Sequence, residues 1–323
     1  MATFLDRSGI VAEISGIERL LQSLPEEDAL GRMNLDSRRQ ELREQLEHLG
    51  DDRSTLASTA LFFGGKPVIG SRGIQADFAS KVLDDYRDSV INMWASTERD
   101  IALRGPVPDQ DSARLHVTEL LHGSVGFLIE EIDLKALPLF PSPLKKAADA
   151  IDELIVSVAR NSDEDFEREL ERLHPRVFRA VERLIKDLHQ AEATVRVVDE
   201  SRDEILTKED VDKAYVRLEA TSIDEDHFTE DGLLIGLLPY GERFEFRRTG
   251  GQLITGKVAP SLSEMYLKKL LEEQAINKWW RATIGRREIR RFGRSTETFF
   301  LLDLQEIEQP RLESPEGPLN VPV

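Results

Sequence analysis

After the acidic run Asp224-Glu225-Asp226 the helical spacing of apolar residues gives way to short runs of strand character. Residues 233–238, 243–247, 253–258, 280–289 and 298–304 are five such runs, rich in Leu, Ile, Phe, Thr and Trp. A single helix interrupts them, starting at Ser261 with Glu264 at capping-box spacing and reaching about Gln274. Five strands and one helix in so short a stretch leave few ways to bury a sheet face. The size and order suit a small β-barrel of the OB or SH3-like kind, expected over residues 225–310. Residues 311–323 read as an extended tail.

Upstream the pattern is mixed. Ile10, Ile14, Ile17, Leu20 and Leu21 form one helical stripe. A second helix is expected after Asn34, with Ser37 and Gln40 at capping-box spacing, Leu42, Leu46 and Leu49 on one face, and Gly50 as its stop. Together they make a helical hairpin over 1–52, too narrow in its apolar stripe to form a core alone. Residues 53–137 read as a small α+β domain. In it a hairpin of 59–63 and 68–69 turns at Gly64-Gly65-Lys66-Pro67. A helix over 76–95 carries Phe78, Val82, Tyr86, Val90 and Met93 on one face, and a second hairpin, 115–121 with 125–132, turns at His122-Gly123-Ser124. Pro138, Pro141 and Pro143 mark the next boundary. The helical section 138–224 holds helices at 143–160 and 163–190, the second opened by Ser162 and Asp165 and broken at Pro175. A strand at 193–198 and a helix capped by Thr207 and Asp210 complete it. The fold class is therefore α+β, in four segments and a tail.

Composition narrows the chemistry. The 323 residues carry 61 acids against 43 Lys and Arg, a net charge of −18, which repels polyanions at long range. Cysteine is absent, which excludes disulfides, thiolate metal sites and a cysteine nucleophile. Asp6, Arg7, Glu13 and Glu18 interrupt any apolar leader, and the most apolar run, 232–241, is about half of what a spanning helix needs. The expectation is a cytoplasmic protein with no membrane contact.

Motif by motif, catalytic readings weaken. Gly65-Lys66 lacks the phosphate-loop glycine, because Ala60 stands there, and its hydroxyl position is Pro67. Ser71, Arg72 and Gly73 form a Gly/Ser turn read as opening a helix, where free amides and one guanidinium would hold an anion. His122 and Ser124 lack a nucleophile elbow and read as polar residues of a hairpin tip. The six histidines form no His-x-x-x-His pair, and Asp224-Glu225-Asp226 lacks a calcium loop's glycine, Thr229 standing in its place. No metal and no cofactor are expected. An alternative is a metal-dependent nuclease in which Asp109, Asp133 and Lys135 would converge.

One charge feature stands out. Lys278, Arg281, Arg286, Arg287, Arg290, Arg291 and Arg294, against Glu288 alone, give 278–294 a net charge of +6. Trp279, Trp280 and Phe292 are interleaved with them. These residues meet either a nucleic acid, through a basic groove with stacking aromatics, or acids of this chain or a protein partner. With no catalytic constellation intact, the leading expectation is a non-catalytic binding or regulatory subunit working through protein partners or a homo-oligomer. A nucleic-acid-binding role for 278–294 is the first alternative, and the nuclease the second.

Overall fold

The computed structural model describes residues 10, 17, 21, 29–48, 55–98, 101–103, 105–121, 125–132, 139–238, 241–259, 262, 267, 268, 270 and 275–308. The chain divides into two compact units, Met1–Thr221 and Ser222–Val323. Among the described residues no helix is long and apolar enough to cross a membrane.

In the first unit a five-stranded antiparallel sheet has the order β4-β5-β1-β6-β7. Its strands are β1 (Ser58–Gly65), β4 (Leu115–Leu121), β5 (Val125–Glu131), β6 (Ala193–Val198) and β7 (Asp203–Leu206). β1 is central because Thr59, Ala60, Leu61 and Phe63 are buried on alternating faces. The hairpin expected about Gly64-Gly65-Lys66-Pro67 does not form. β1 pairs with β5 and β6 instead, while β2 (Val68–Ile69) pairs with β3 (Gly73–Ile74). Gly65 has φ +85°, and a Cβ there would lie 2.3 Å from the Glu192 carbonyl oxygen, so glycine permits the close approach of β1 to the turn before β6. The sheet thus joins strands from both of the segments 53–137 and 138–224.

Six helices are described: α1 (Ala29–His48), α2 (Ala76–Glu98), α3 (Pro143–Arg160), α4 (Asp163–Leu170), α5 (Pro175–Gln190) and α6 (Lys208–Glu219). α2 packs on α3 and α5, and α6 packs on the same two. Their buried faces carry Val82, Tyr86 and Val90, Ile151, Leu154 and Ile155, and Val181, Leu184 and Ile185. α1 runs through Asn34 and Ser37, so the expected cap at Ser37 is absent. Only Gly31 interrupts its first turns, at a cost of about 1 kcal/mol, too little to stop a helix of 20 residues. Of the helix expected before it, Ile10, Ile17 and Leu21 are described and helical. Other sequence signals act where the pattern places them. Ser162 accepts from the Asp165 amide, Pro175 occupies the first turn of α5, and Thr207 with Asp210 forms a capping box.

In the second unit β8 (Thr221–Leu238), β9 (Arg243–Arg248), β10 (Leu253–Val258), β11 (Trp279–Arg291) and β12 (Arg294–Glu306) close into a ring. Around it the order is β10-β12-β11-β8-β9. β9 is antiparallel to β8 and β10, and β11 to β12, whereas β10 runs parallel to β12 at Lys257↔Phe300 and Val258↔Leu301. Leu234, Phe244, Phe246, Trp280, Ile284 and Leu301 fill the interior, and the Trp280 indole N–H donates to the Ala275 carbonyl at 2.9 Å. Of the helix expected between β10 and β11, Leu267, Lys268 and Leu270 are described and helical; the rest lies outside the described residues, as does the tail from 309. β8 starts at Thr221, so Asp224-Glu225-Asp226 is part of a strand and not the acidic linker expected.

Candidate functional site

The arginines of β11 face a strand of acids. Arg281 makes a two-pronged contact with Asp231 at 2.8 and 2.9 Å, and Arg286 another with Asp226 at 3.1 and 2.6 Å. Arg287 reaches Glu225 at 3.1 Å, and Arg290 reaches Asp224 at 3.4 Å. The acids descend β8 as the arginines ascend β11, so the two strands form a charge ladder. This is why a run of acids holds a strand: each carboxylate has an opposite charge across the sheet. Lys278 meets Glu306 at 3.2 Å, Arg290 also grips Glu288 at 2.9 and 2.7 Å, and the Arg291 guanidinium lies 5.2 Å from the Phe292 ring. Arg294 is exposed, opposite Arg291 across a two-residue turn in which Phe292 and Gly293 have φ of 46° and 76°.

Most of the ladder is open to water. The exception is Arg287 with Glu225, whose side chains are 10% and 14% exposed, with the guanidinium also 5.2 Å from the Phe300 ring. The hydrogen bonds shift the charges toward permanence. Arg290 and Ser295 hold Glu288 down at about 2, and Arg281 lowers Asp231. Hydrogen bonding to Asp231, Asp226 and Glu288 raises Arg281, Arg286 and Arg290 respectively.

The other residues singled out in the sequence are dispersed. Ser71, Arg72 and Gly73 do not open a helix: α2 begins at Ala76, Ser71 and Arg72 lie in the turn between β2 and β3, where the Arg72 amide donates to the Ile69 carbonyl, and Gly73 is the first residue of β3. Asp109 sits in a turn with φ 54°, on the rim of an open cleft of about 1080 Å³ that Arg87, Ile91, Arg114 and His116 also line. Arg87 is engaged by Asp84 and Asp88 at 2.6 and 2.8 Å. Asp133, Lys135, His122 and Ser124 lie outside the described residues. Lys66 meets Glu192 at 2.8 Å. Among the described residues no three His, Asp or Glu side chains gather as a metal cage.

The sequence reading passed over a buried polar cluster in the first unit. The Asp152 carboxylate is wholly buried on α3 and accepts from Thr59 of β1 at 2.7 Å and from Tyr86 of α2 at 2.9 Å. Burial, assisted by Asp199, pushes its pKa up to about 7 against the pull of those donors. Burial likewise raises the Tyr86 phenol well above its ordinary value. Close by, Asp199 pairs with Arg202 at 2.6 Å, and Lys145 with Asp149 and Glu200 at 3.1 and 3.3 Å. The cluster ties three elements together and offers no opening for a substrate.

No protein-family model, no curated protein and no solved structure matches this chain.

Proposed function

We propose that the chain is a cytoplasmic, non-catalytic binding or regulatory subunit that works through protein–protein contacts. The observation that carries this reading is the charge ladder. In the segment best suited by composition to a polyanion, Arg281, Arg286, Arg287 and Arg290 are already engaged by carboxylates of β8. A phosphate backbone would have to displace those contacts, against the field of a chain of net charge −18.

The test reverses Arg286, Arg287, Arg290 and Arg291 to Glu together. Like charges then face each other along β8 and β11, and the melting temperature of the protein falls. The largest share comes from Arg287, whose mostly buried pair is worth about 2–4 kcal/mol when broken from one side. The expected outcome for the unmutated protein is no salt-sensitive affinity for single-stranded DNA or RNA, and a protein partner retained in fixed stoichiometry on native purification. Tight nucleic-acid binding abolished by the reversal, with the melting temperature unchanged, overturns the proposal.

A second reading draws on the strand order. The helical residues Leu267, Lys268 and Leu270 between the third and fourth strands, with the third parallel to the fifth, support a small barrel of the OB kind, a fold that holds oligonucleotides on its second and third strands. Here those are β9 and β10, where Arg243 and Arg247 alternate with Glu245 and Lys257 stands opposite Arg243. On this reading Arg243→Glu with Arg247→Glu removes nucleic-acid binding, while the β11 reversal does not.

A further inference from the structure

The two edges of the first unit's sheet are built differently. β7 has four residues, two of them Asp203 and Glu204; Arg160 pairs with Glu204 and donates to the Ile205 carbonyl at 2.6 Å. Short length, charge and a capping side chain are the usual means of blunting an edge. β4 has seven residues and is bonded on one side only among the described strands, and 116–120 are all exposed. Val117 and Leu120 are 50% and 61% exposed. Five of the twelve large apolar side chains exposed among the described residues fall between Val117 and Phe140, which concentrates them at this end of the unit. Leu139 and Phe140 precede Ser142, whose hydroxyl bonds Glu131, the register neighbour of Leu115.

The register with β5 sorts the side chains of β4 by face. Val117 lies opposite Ile129 and Leu120 opposite Phe127, which share the face on which Phe127 meets Phe63; Leu115, opposite Glu131, is on the same side. His116 lies opposite Glu130 and Glu119 opposite Leu128, on the other face. The irregularity between Val117 and Glu119 keeps Leu120 with Leu115 and Val117 where strict alternation would have turned it away.

We propose that β4 is a self-association edge, pairing antiparallel with β4 of a second copy of this chain about a two-fold axis. One register fits. It sets Leu115 opposite Leu120 of the second copy on one face and His116 opposite Glu119 on the other, each contact occurring twice by symmetry. A shift of one residue sets Val117 against Glu119 and loses both matches. A polar match of imidazole to carboxylate together with an apolar match in a single self-complementary register is the reason for naming a second copy as the occupant. The inference deepens the protein-contact reading by naming one partner, and its test does not pass through the ring.

The experiment is sedimentation equilibrium of the full chain over a dilution series. The unmutated protein forms a reversible dimer. L120K makes it a monomer that melts where the unmutated protein melts once diluted to monomer, since the side chain is exposed. E119K and H116E each weaken the dimer roughly tenfold, because the axis uses the contact twice. An equimolar mixture of the E119K and H116E chains recovers the original affinity as a heterodimer, an outcome that a general loss of folding would not produce. A monomer at every concentration overturns the proposal, as does a dimer indifferent to L120K and E119K. Amides of β4 that gain hydrogen-exchange protection only when a different protein binds would also overturn it, assigning the edge to a foreign strand.

Discussion

Asp152 has no solvent, two hydroxyl donors and the Asp199 carboxylate for company. With its pKa raised to about 7 in the folded chain and 3.8 as its ordinary value, the native state holds a proton there that the unfolded state has released. Its contribution to stability is therefore full at low pH, declines as pH rises from about 4 to 7, and is constant above; the whole change is at most ~4 kcal/mol. Asp152→Asn keeps partners for both hydroxyls and has no proton to lose. Denaturant titrations at pH 5 and pH 8 should show the difference in stability between variant and parent turning in favour of Asn as pH rises. A pH-independent difference would mean that Asp152 does not titrate in this range. The sequence gives no sign of this site, because Thr59 and Tyr86 lie 93 and 66 residues from Asp152 and only the fold makes them neighbours.

Elements were legible where their signals are local. Ser162, Pro175 and Thr207 each act through backbone groups within a turn of themselves, so spacing alone locates them. The cap expected at Ser37 met the same spacing rule and failed, because the preceding turns were themselves able to stay helical. A pair of substitutions separates the two cases. Thr207→Ala should cost about 1 kcal/mol, since it orphans the Asp210 amide, while Ser37→Ala in a helix interior should be neutral or slightly stabilising in the same chemical denaturation assay. β8 marks the opposite limit. Its first half reads as polar linker by composition, and its partners are arginines some 50 to 60 residues further on. The edge strand β4 was located correctly, but an edge and a centre look alike in sequence until their neighbours are known.

At the scale of the molecule, the second unit has an interior of its own, closed by strands that all lie within Ser222–Val323 apart from the first residue of β8. A fragment of residues 222–308 should unfold in one cooperative transition by circular dichroism, and a fragment starting at residue 228 should melt lower, having lost Asp224, Glu225 and Asp226 from the ladder. Equal melting temperatures would show that these rungs contribute nothing. The composition of this unit was legible as five strands with one helical insertion, whereas the order in which they close was not, because alternation specifies faces and not neighbours.

The parallel join of β10 to β12 has a consequence for how the chain is made. A ribosome delivers β8, β9 and β10 in succession, each able to pair with its predecessor at once or nearly so. β10 then waits for Phe300 and Leu301, more than forty residues later, before its second side is covered. Until β11 arrives to cover β8, a nascent chain displays an apolar sheet open along both β8 and β10, and contacts so distant in sequence form slowly. The last fifty residues to be synthesised in the described chain thus decide whether the preceding ones stay soluble. A ribosome stalled between β10 and β12 would leave behind a strand with a vacancy for any neighbour at hand.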